Sequence, residues 1–240
     1  MRIYQSVLPT LRARGIPYLF TSTYLQAQPT PYAAVKRIGE EWVRAGNTQQ
    51  RALIDANSDT QSPGRGTSSP ALRQFAGVGK MVRLWNIYGR ERIGLRSHVV
   101  GDWLHQCHHQ HRISARTNGL EARQLLHGQD VAAAMVLLMR YFAHVDELTE
   151  ISSGEWITLR YLAHAIDALS EKKRGFSCPA DFPDVAADVR ARVSPQTDAV
   201  LYRELGWRPL VSLETGLEDI LDALQQGDEA LARIDENKFL

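Results

Sequence analysis

The run Ile16-Pro-Tyr-Leu-Phe20 is short and apolar, and it leads into the hydroxyl cluster Thr21-Ser22-Thr23 before a helical pattern opens at Pro31. An apolar run of that length bounded by polar residues reads as a buried strand. Val35, Ile38, Trp42 and Val43 then recur near helical spacing, with Arg37, Glu40, Glu41 and Arg44 between them. That periodicity predicts a helix over residues 31–45, with a possible extension through Arg51-Ala-Leu-Ile54. Strand followed by helix implies an α/β chain with a parallel sheet, and in open sheets of that kind sites lie at the carboxyl ends of strands, where the hydroxyl cluster falls.

The helix opens on Pro31-Tyr32-Ala-Ala-Val-Lys36, nine residues from Thr23 to Tyr32. Residues four apart share a helix face, so the Lys36 ammonium can approach the Tyr32 phenol and favour its ionised form. A phenol that titrates near about 10 in water then becomes useful in proton transfer nearer neutrality. Hydroxyl, phenol and ammonium together form the set that hydride-transfer chemistry needs. Tyr and Lys at this spacing also occur as a plain surface pair, and it is the preceding strand and hydroxyl cluster that favour the chemical reading.

Composition bounds the partners. With 28 Lys and Arg against 27 Asp and Glu the formal charge is +1, so no global field steers the chain toward nucleic acid or an anionic membrane. No apolar run approaches the length of a membrane span. Hydrophobic residues make up 44% of the 240, enough for an ordinary core. Two cysteines, Cys107 and Cys178, fall short of a disulfide framework and point to a reduced, cytoplasmic chain.

Along the chain, residues 1–15 read as a helix ending at Gly15. Residues 57–70 hold no apolar side chain and several breakers, the mark of an exposed loop. Met81-Val-Arg-Leu-Trp85 reads as a second strand with Asn86-Ile-Tyr-Gly89 as its polar exit, and Val99, Val100, Trp103 and Leu104 begin a helix that runs into His105-Gln-Cys-His-His-Gln-His111. Residues 131–144, 157–169 and 217–224 carry further helical patterns, so the second half is mainly helical. Gln129-Asp130 and Ser152-Ser153-Gly154 stand where helix starts are expected. His105 and His109 would share a helix face, but no carboxylate or second thiol stands at a defined spacing, and the cluster is assigned no metal. The five tryptophans are scattered, as core residues are.

Phe20-Thr-Ser-Thr23 with Pro31-Tyr-Ala-Ala-Val-Lys36, then Val82-Arg-Leu-Trp-Asn-Ile-Tyr-Gly89, Arg123-Gln-Leu-Leu-His-Gly-Gln-Asp130, Ile151-Ser-Ser-Gly154 and Leu205-Gly-Trp-Arg-Pro209 are five ordered landmarks. Together they resemble the extended short-chain dehydrogenase/reductase family, the NAD-dependent epimerases and dehydratases of nucleotide sugars. The resemblance implies an incomplete Rossmann-like parallel sheet over residues 1–95 and a mainly helical substrate-binding part over residues 96–240, which returns a segment to the sheet. It implies Tyr32 as general acid/base, Lys36 on the nicotinamide ribose of NAD or NADP, and Thr23 on the reacting oxygen. Asn86 and Arg123 would position a nucleotide-sugar substrate.

The chain departs from that family in having no Gly-x-Gly-x-x-Gly or Gly-x-x-Gly-x-x-Gly, the turn that cradles a dinucleotide pyrophosphate. On the family pattern roughly a hundred residues would precede Met1. The expectation is an N-terminally truncated enzyme, or else a non-catalytic remnant or subunit that binds a partner chain or sugar nucleotide. Either leaves an apolar strand edge near Ile16–Phe20, which favours a homo-oligomer or a partner that completes the sheet.

Overall fold

The computed structural model describes residues 2–58, 77–91, 98–186 and 199–227. The chain divides into two compact units, one of Met1–Trp85, Ala134–Ile151 and Gln196–Trp207, the other of Asn86–Ala133, Ser152–Pro195 and Arg208–Leu240.

The first unit is built on a parallel sheet of order β1-β2-β7, from β1 (Tyr18–Thr23), β2 (Gly79–Leu84) and β7 (Leu148–Ile151). Phe20 pairs with Met81 and Met81 with Leu148, so a segment from far along the chain closes the sheet. Helix α1 (Arg2–Ala13) ends where Gly15 turns back at φ 64° and Ile16 N–H bonds Leu11 O at 2.9 Å. That closure keeps Ile16 out of the ladder, and Pro17 has no N–H to give it. The strand therefore begins at Tyr18, two residues later than expected, and Thr21, Ser22 and Thr23 are strand residues paired with Val82, Arg83 and Leu84.

Helix α2 runs unbroken from Pro31 to Ser58, taking in both the predicted helix and its extension. Leu8 of α1 and Val43 of α2 bury against Tyr18, Phe20 and Met81, with Leu11, Trp42 and Leu148 around them. Asn47, 1% exposed, docks α2 on the sheet, its Nδ2 donating to Gly79 O (2.7 Å) and its Oδ1 accepting from Gly79 N (2.8 Å). The loop expected over residues 57–70 lies outside the described residues after Ser58. A short helix α6 (Val200–Arg203) returns to this unit, where Tyr202 Oη donates to Glu150 O at 2.8 Å.

In the second unit, Asn86–Tyr88 is itself a strand, β3, and not a polar exit, because it pairs in parallel with β6 (Leu125–His127). Two further ladders are two residues per strand: β4 (Ile113–Ser114) with β9 (Ala180–Asp181), and β5 (Ala122–Arg123) with β8 (Ile157–Thr158). Helices α3 (Val99–Gln110), α5 (Leu159–Arg174) and α7 (Leu213–Gln225) enclose a core that includes Trp103, Leu104, Ile113, Leu162, Ile166 and Ile220. One of the two expected helix starts stands and the other is replaced. Thr158, not residues 152–154, caps α5 by accepting from Tyr161 N at 3.1 Å. Asp130, in the first turn of α4 (Gly128–Arg140), accepts from Leu210 N (2.9 Å) and Val211 N (3.1 Å), binding a distant segment.

The double bond at Asn47 generates a stability prediction. Asn47→Ala leaves a buried peptide N–H and C=O at Gly79 without partners, and should cost about 2–4 kcal/mol in chemical denaturation. A loss below about 1 kcal/mol would contradict the docking role.

Candidate active site

Helix α2 is started by its own sequence. Thr30 Oγ1 accepts from Ala33 N (3.1 Å) and Pro31 occupies the first helical position, where its missing N–H costs nothing. Tyr32, Lys36 and Glu40 then follow at four-residue steps along one face. Gly39 lets that face press on β1, since a Cβ there would come within 2.2 Å of Phe20 Cζ. Lys36 as a result reaches over the strand: its Nζ donates to Thr21 O at 2.9 Å and stands 5.7 Å from the Tyr32 ring centroid and 5.9 Å from that of Phe20. Burial pushes the Lys36 ammonium below its ordinary value of 10.5.

Tyr32 is 56% exposed and open to an incoming ligand. Thr23 is buried at the end of β1, where its Oγ1 accepts from Leu25 N (3.3 Å) and its own hydroxyl proton remains to be donated. The turn that follows is braced by Tyr24 stacked on Trp85, ring centroids 4.3 Å apart and nearly parallel at 8°. The structure thus brings Thr23, Tyr32 and Lys36 of the expected set to the carboxyl end of β1 and the start of α2.

Beneath them lies a group that the sequence reading passed over. Glu40, 2% exposed, takes Arg83 in a two-point grip, Nε to Oε1 at 2.9 Å and Nη2 to Oε2 at 2.7 Å. Ser22 Oγ donates to Oε1 at 2.6 Å, Arg44 Nη2 to Oε2 at 3.2 Å, and Arg83 Nη1 lies 3.6 Å from Glu150 of β7. Burial alone would raise the Glu40 carboxyl, but the Arg83 and Ser22 hydrogen bonds and the charges of Arg83 and Arg44 outweigh it and hold the group below its ordinary 4.5. A glutamate on a helix otherwise reads as solvent-facing; its i+4 and i+8 spacing from Lys36 and Tyr32 was the available signal.

Asn86 and Arg123 belong to the second unit. Asn86 of β3 pairs with Leu125 of β6, and Arg123 of β5 pairs with Ile157 of β8. Arg123 Nη1 donates to Ala122 O at 3.0 Å. Next to Arg123 in sequence, Gln124 is fully buried, its Oε1 accepting from Gly154 N at 3.2 Å and its Nε2 without a hydrogen-bond partner among the described residues, a donor that sequence spacing could not reveal. Tyr88 of β3 and Leu125 of β6, with Ser153, Glu155 and Ser212 from connecting segments, help line a cavity of about 280 Å³. Among the described residues, no three His, Cys, Asp or Glu side chains converge as metal ligands would, the histidines of α3 included.

Replacing Glu40 tests the brace. Glu40→Gln strips Arg83 of its two-point counter-charge, leaving Glu150 at 3.6 Å, and should destabilise the chain by about 3–5 kcal/mol in denaturant titration at neutral pH. Because the folded carboxyl titrates below its ordinary 4.5, its contribution is complete above that pH and is lost as pH falls through the folded value. The variant should lack that part of the acid loss; an unchanged acid limb would refute the assignment.

The fold agrees with what the chain resembles. The profile of the NAD dependent epimerase/dehydratase family matches residues 14–151. A putative GDP-L-fucose synthase 2 of Oryza sativa subsp. japonica is 26% identical over 193 residues, covering 72% of this chain and 52% of the relative. The dTDP-4-dehydro-6-deoxyglucose reductase of Escherichia coli is 25% identical over 158 residues, covering 64% and 47%. The chain therefore spans about half the length of the curated relatives it matches. Among solved structures, UDP-glucose 4-epimerase from Thermotoga maritima with UDP-glucose superposes with a TM-score of 0.65 at 18% identity, over 94% of this chain and 69% of that one. RMD from Pseudomonas aeruginosa complexed with NADPH gives 0.65 at 18%, over 93% and 72%. These likenesses place the fold among Rossmann-like proteins. With more than half of its residues matched by the family profile, the chain belongs to the NAD dependent epimerase/dehydratase family.

Proposed function

We propose that the chain carries the proton-transfer site of an NAD(P)-dependent epimerase, dehydratase or reductase of a nucleotide-activated sugar. One observation carries the reading: α2 sets the Lys36 ammonium over the end of β1, 2.9 Å from Thr21 O and 5.7 Å from the Tyr32 ring, with the buried Thr23 hydroxyl on the same strand end. That is where an α/β sheet presents chemistry.

In this reading Tyr32 holds the proton exchanged with the substrate hydroxyl, and Thr23 donates a hydrogen bond to the same oxygen. Lys36 stabilises the charge left on the phenol as its proton moves. Lys36 commits one N–H to Thr21 O, and its other two suit the hydroxyls of a nicotinamide ribose, so the residues present fit that end of the coenzyme. The coenzyme when bound supplies the hydride acceptor and donor. Asn86 and Arg123 are assigned to the sugar and the diphosphate, for which a planar guanidinium is suited. The chain carries no glycine-rich dinucleotide turn, and the pyrophosphate is assigned to none of its residues.

A second reading rests on β1, the terminal strand of its sheet among the described residues. Its outer edge suits a parallel strand from a second copy or a partner chain, and a non-catalytic chain could keep both this contact and sugar-nucleotide binding. Mixing the chain with NAD or NADP and GDP-, dTDP- or UDP-sugars separates the readings. The first predicts turnover, read as loss of reduced-nicotinamide absorbance for a reductase and as a changed sugar by NMR or mass for an epimerase or dehydratase, that Tyr32→Phe slows by about 10²–10⁴-fold and Lys36→Met lowers together with coenzyme affinity. Binding of a sugar nucleotide in calorimetry with neither an absorbance change nor a changed sugar would support the second, and turnover unaltered by Tyr32→Phe would overturn the first.

A further inference from the structure

The chain's two cysteines, Cys107 and Cys178, are separated by 71 positions and are both fully buried in the core of the second unit. The two thiols lie against each other, and the Ser170 hydroxyl lies beside Cys107. The backbone around them is fixed independently. Ile113 N donates to Pro179 O at 2.9 Å, Cys178 N donates to Asp167 Oδ1 at 2.6 Å, and Ser170 Oγ donates to Phe176 O at 2.8 Å. His111 lies flat on Phe176, ring centroids 3.9 Å apart. Four contacts from α3, α5 and β4 thus hold residues 176–179 against the end of α3. The cover is thin, because Ser177 and Pro179 on either side of Cys178 are exposed.

We propose that Cys107 and Cys178 form a thiol–disulfide modification site, closed by small hydroperoxides into a bond within the chain. The two sulfurs are inequivalent. Contact with the Cys178 S–H favours the Cys107 thiolate against the opposing effect of burial, whereas the contact with Cys107 and burial push Cys178 up. Cys107 is accordingly the nucleophile. Its thiolate attacks one oxygen of hydrogen peroxide, the O–O bond breaks, and Cys107 becomes the sulfenic acid as hydroxide leaves and takes up the Cys178 thiol proton as water. The Cys178 thiolate then attacks the Cys107 sulfur, the S–O bond breaks, and a second water leaves with one added proton. In sum two thiols lose two electrons and two protons, and one peroxide becomes two waters.

The test exposes the folded 240-residue chain to hydrogen peroxide, then denatures it in alkylating agent and records intact and peptide masses. The expected product takes up no alkyl group, is two hydrogen atoms lighter than the reduced chain, yields a Cys107–Cys178 linked peptide, stays monomeric without reductant and reverts with dithiothreitol. Because the bond closes a long loop, its melting temperature should also rise. In Cys178→Ser, dimedone should trap a sulfenic acid at Cys107, and in Cys107→Ser the remaining thiol should react at least about tenfold more slowly. Full alkylation of both thiols after exposure, separate over-oxidation without a link, or a bond joining two chains would overturn the proposal. The mass measurement on the unaltered chain needs neither variant to fold.

Discussion

The first unit depends on a buried carboxylate. Glu40 is drawn into the interface between α2 and the sheet, where an isolated charge would be prohibitive, and it is tolerable only because Arg83 meets it at both oxygens while Ser22 bonds one of them. Those partners come from two strands, and Arg83 in turn faces Glu150 of a third. A pair that demands such geometry fixes the register of α2, whereas apolar contacts alone would allow it to slide. With the register set, Lys36 falls over Thr21 and Tyr32 falls beyond the strand end. Gly39 contributes the closeness and Asn47 the second anchor.

Much of this unit was legible because period and punctuation agree: an apolar strand, a Thr-Pro helix start and an apolar stripe along α2. The strand was misplaced by two residues because its boundary is decided by a backbone bond from Ile16 back to Leu11, which no side-chain pattern announces. Glu40 was passed over for a deeper reason. Charged residues between apolar ones on a helix normally face water, and only a tertiary partner such as Arg83, 43 positions on, reverses that expectation. In the second unit the long helices were readable from their periodicity. The ladders of two or three residues were not, since alternation needs more length than they have. Nor could spacing alone show that Cys107 and Cys178 touch.

The half-length match to its relatives bears on how these features should be understood. Thr23, Tyr32 and Lys36 depend on one strand and one helix, both within the first unit and held by contacts inside it. Asn86 depends on the β3–β6 pairing and Arg123 on the β5–β8 pairing, both held inside the second. Each group of residues is therefore organised by its own local packing, and this chain keeps Lys36 over Thr21 and beside the Tyr32 ring. Coenzyme affinity draws on further contacts and is a separate question.

The sharpest division lies between a Tyr-x-x-x-Lys pair lying idle on a solvated surface and one whose ammonium has been taken partly out of water at a strand end. Carbon-13 labelling of lysine side chains, with Lys36→Met to assign the resonance, reads that difference in the free chain without any substrate. The account predicts that Lys36 titrates below the ordinary 10.5. An ordinary titration would mean that the ammonium is solvated, and the site as described would not exist.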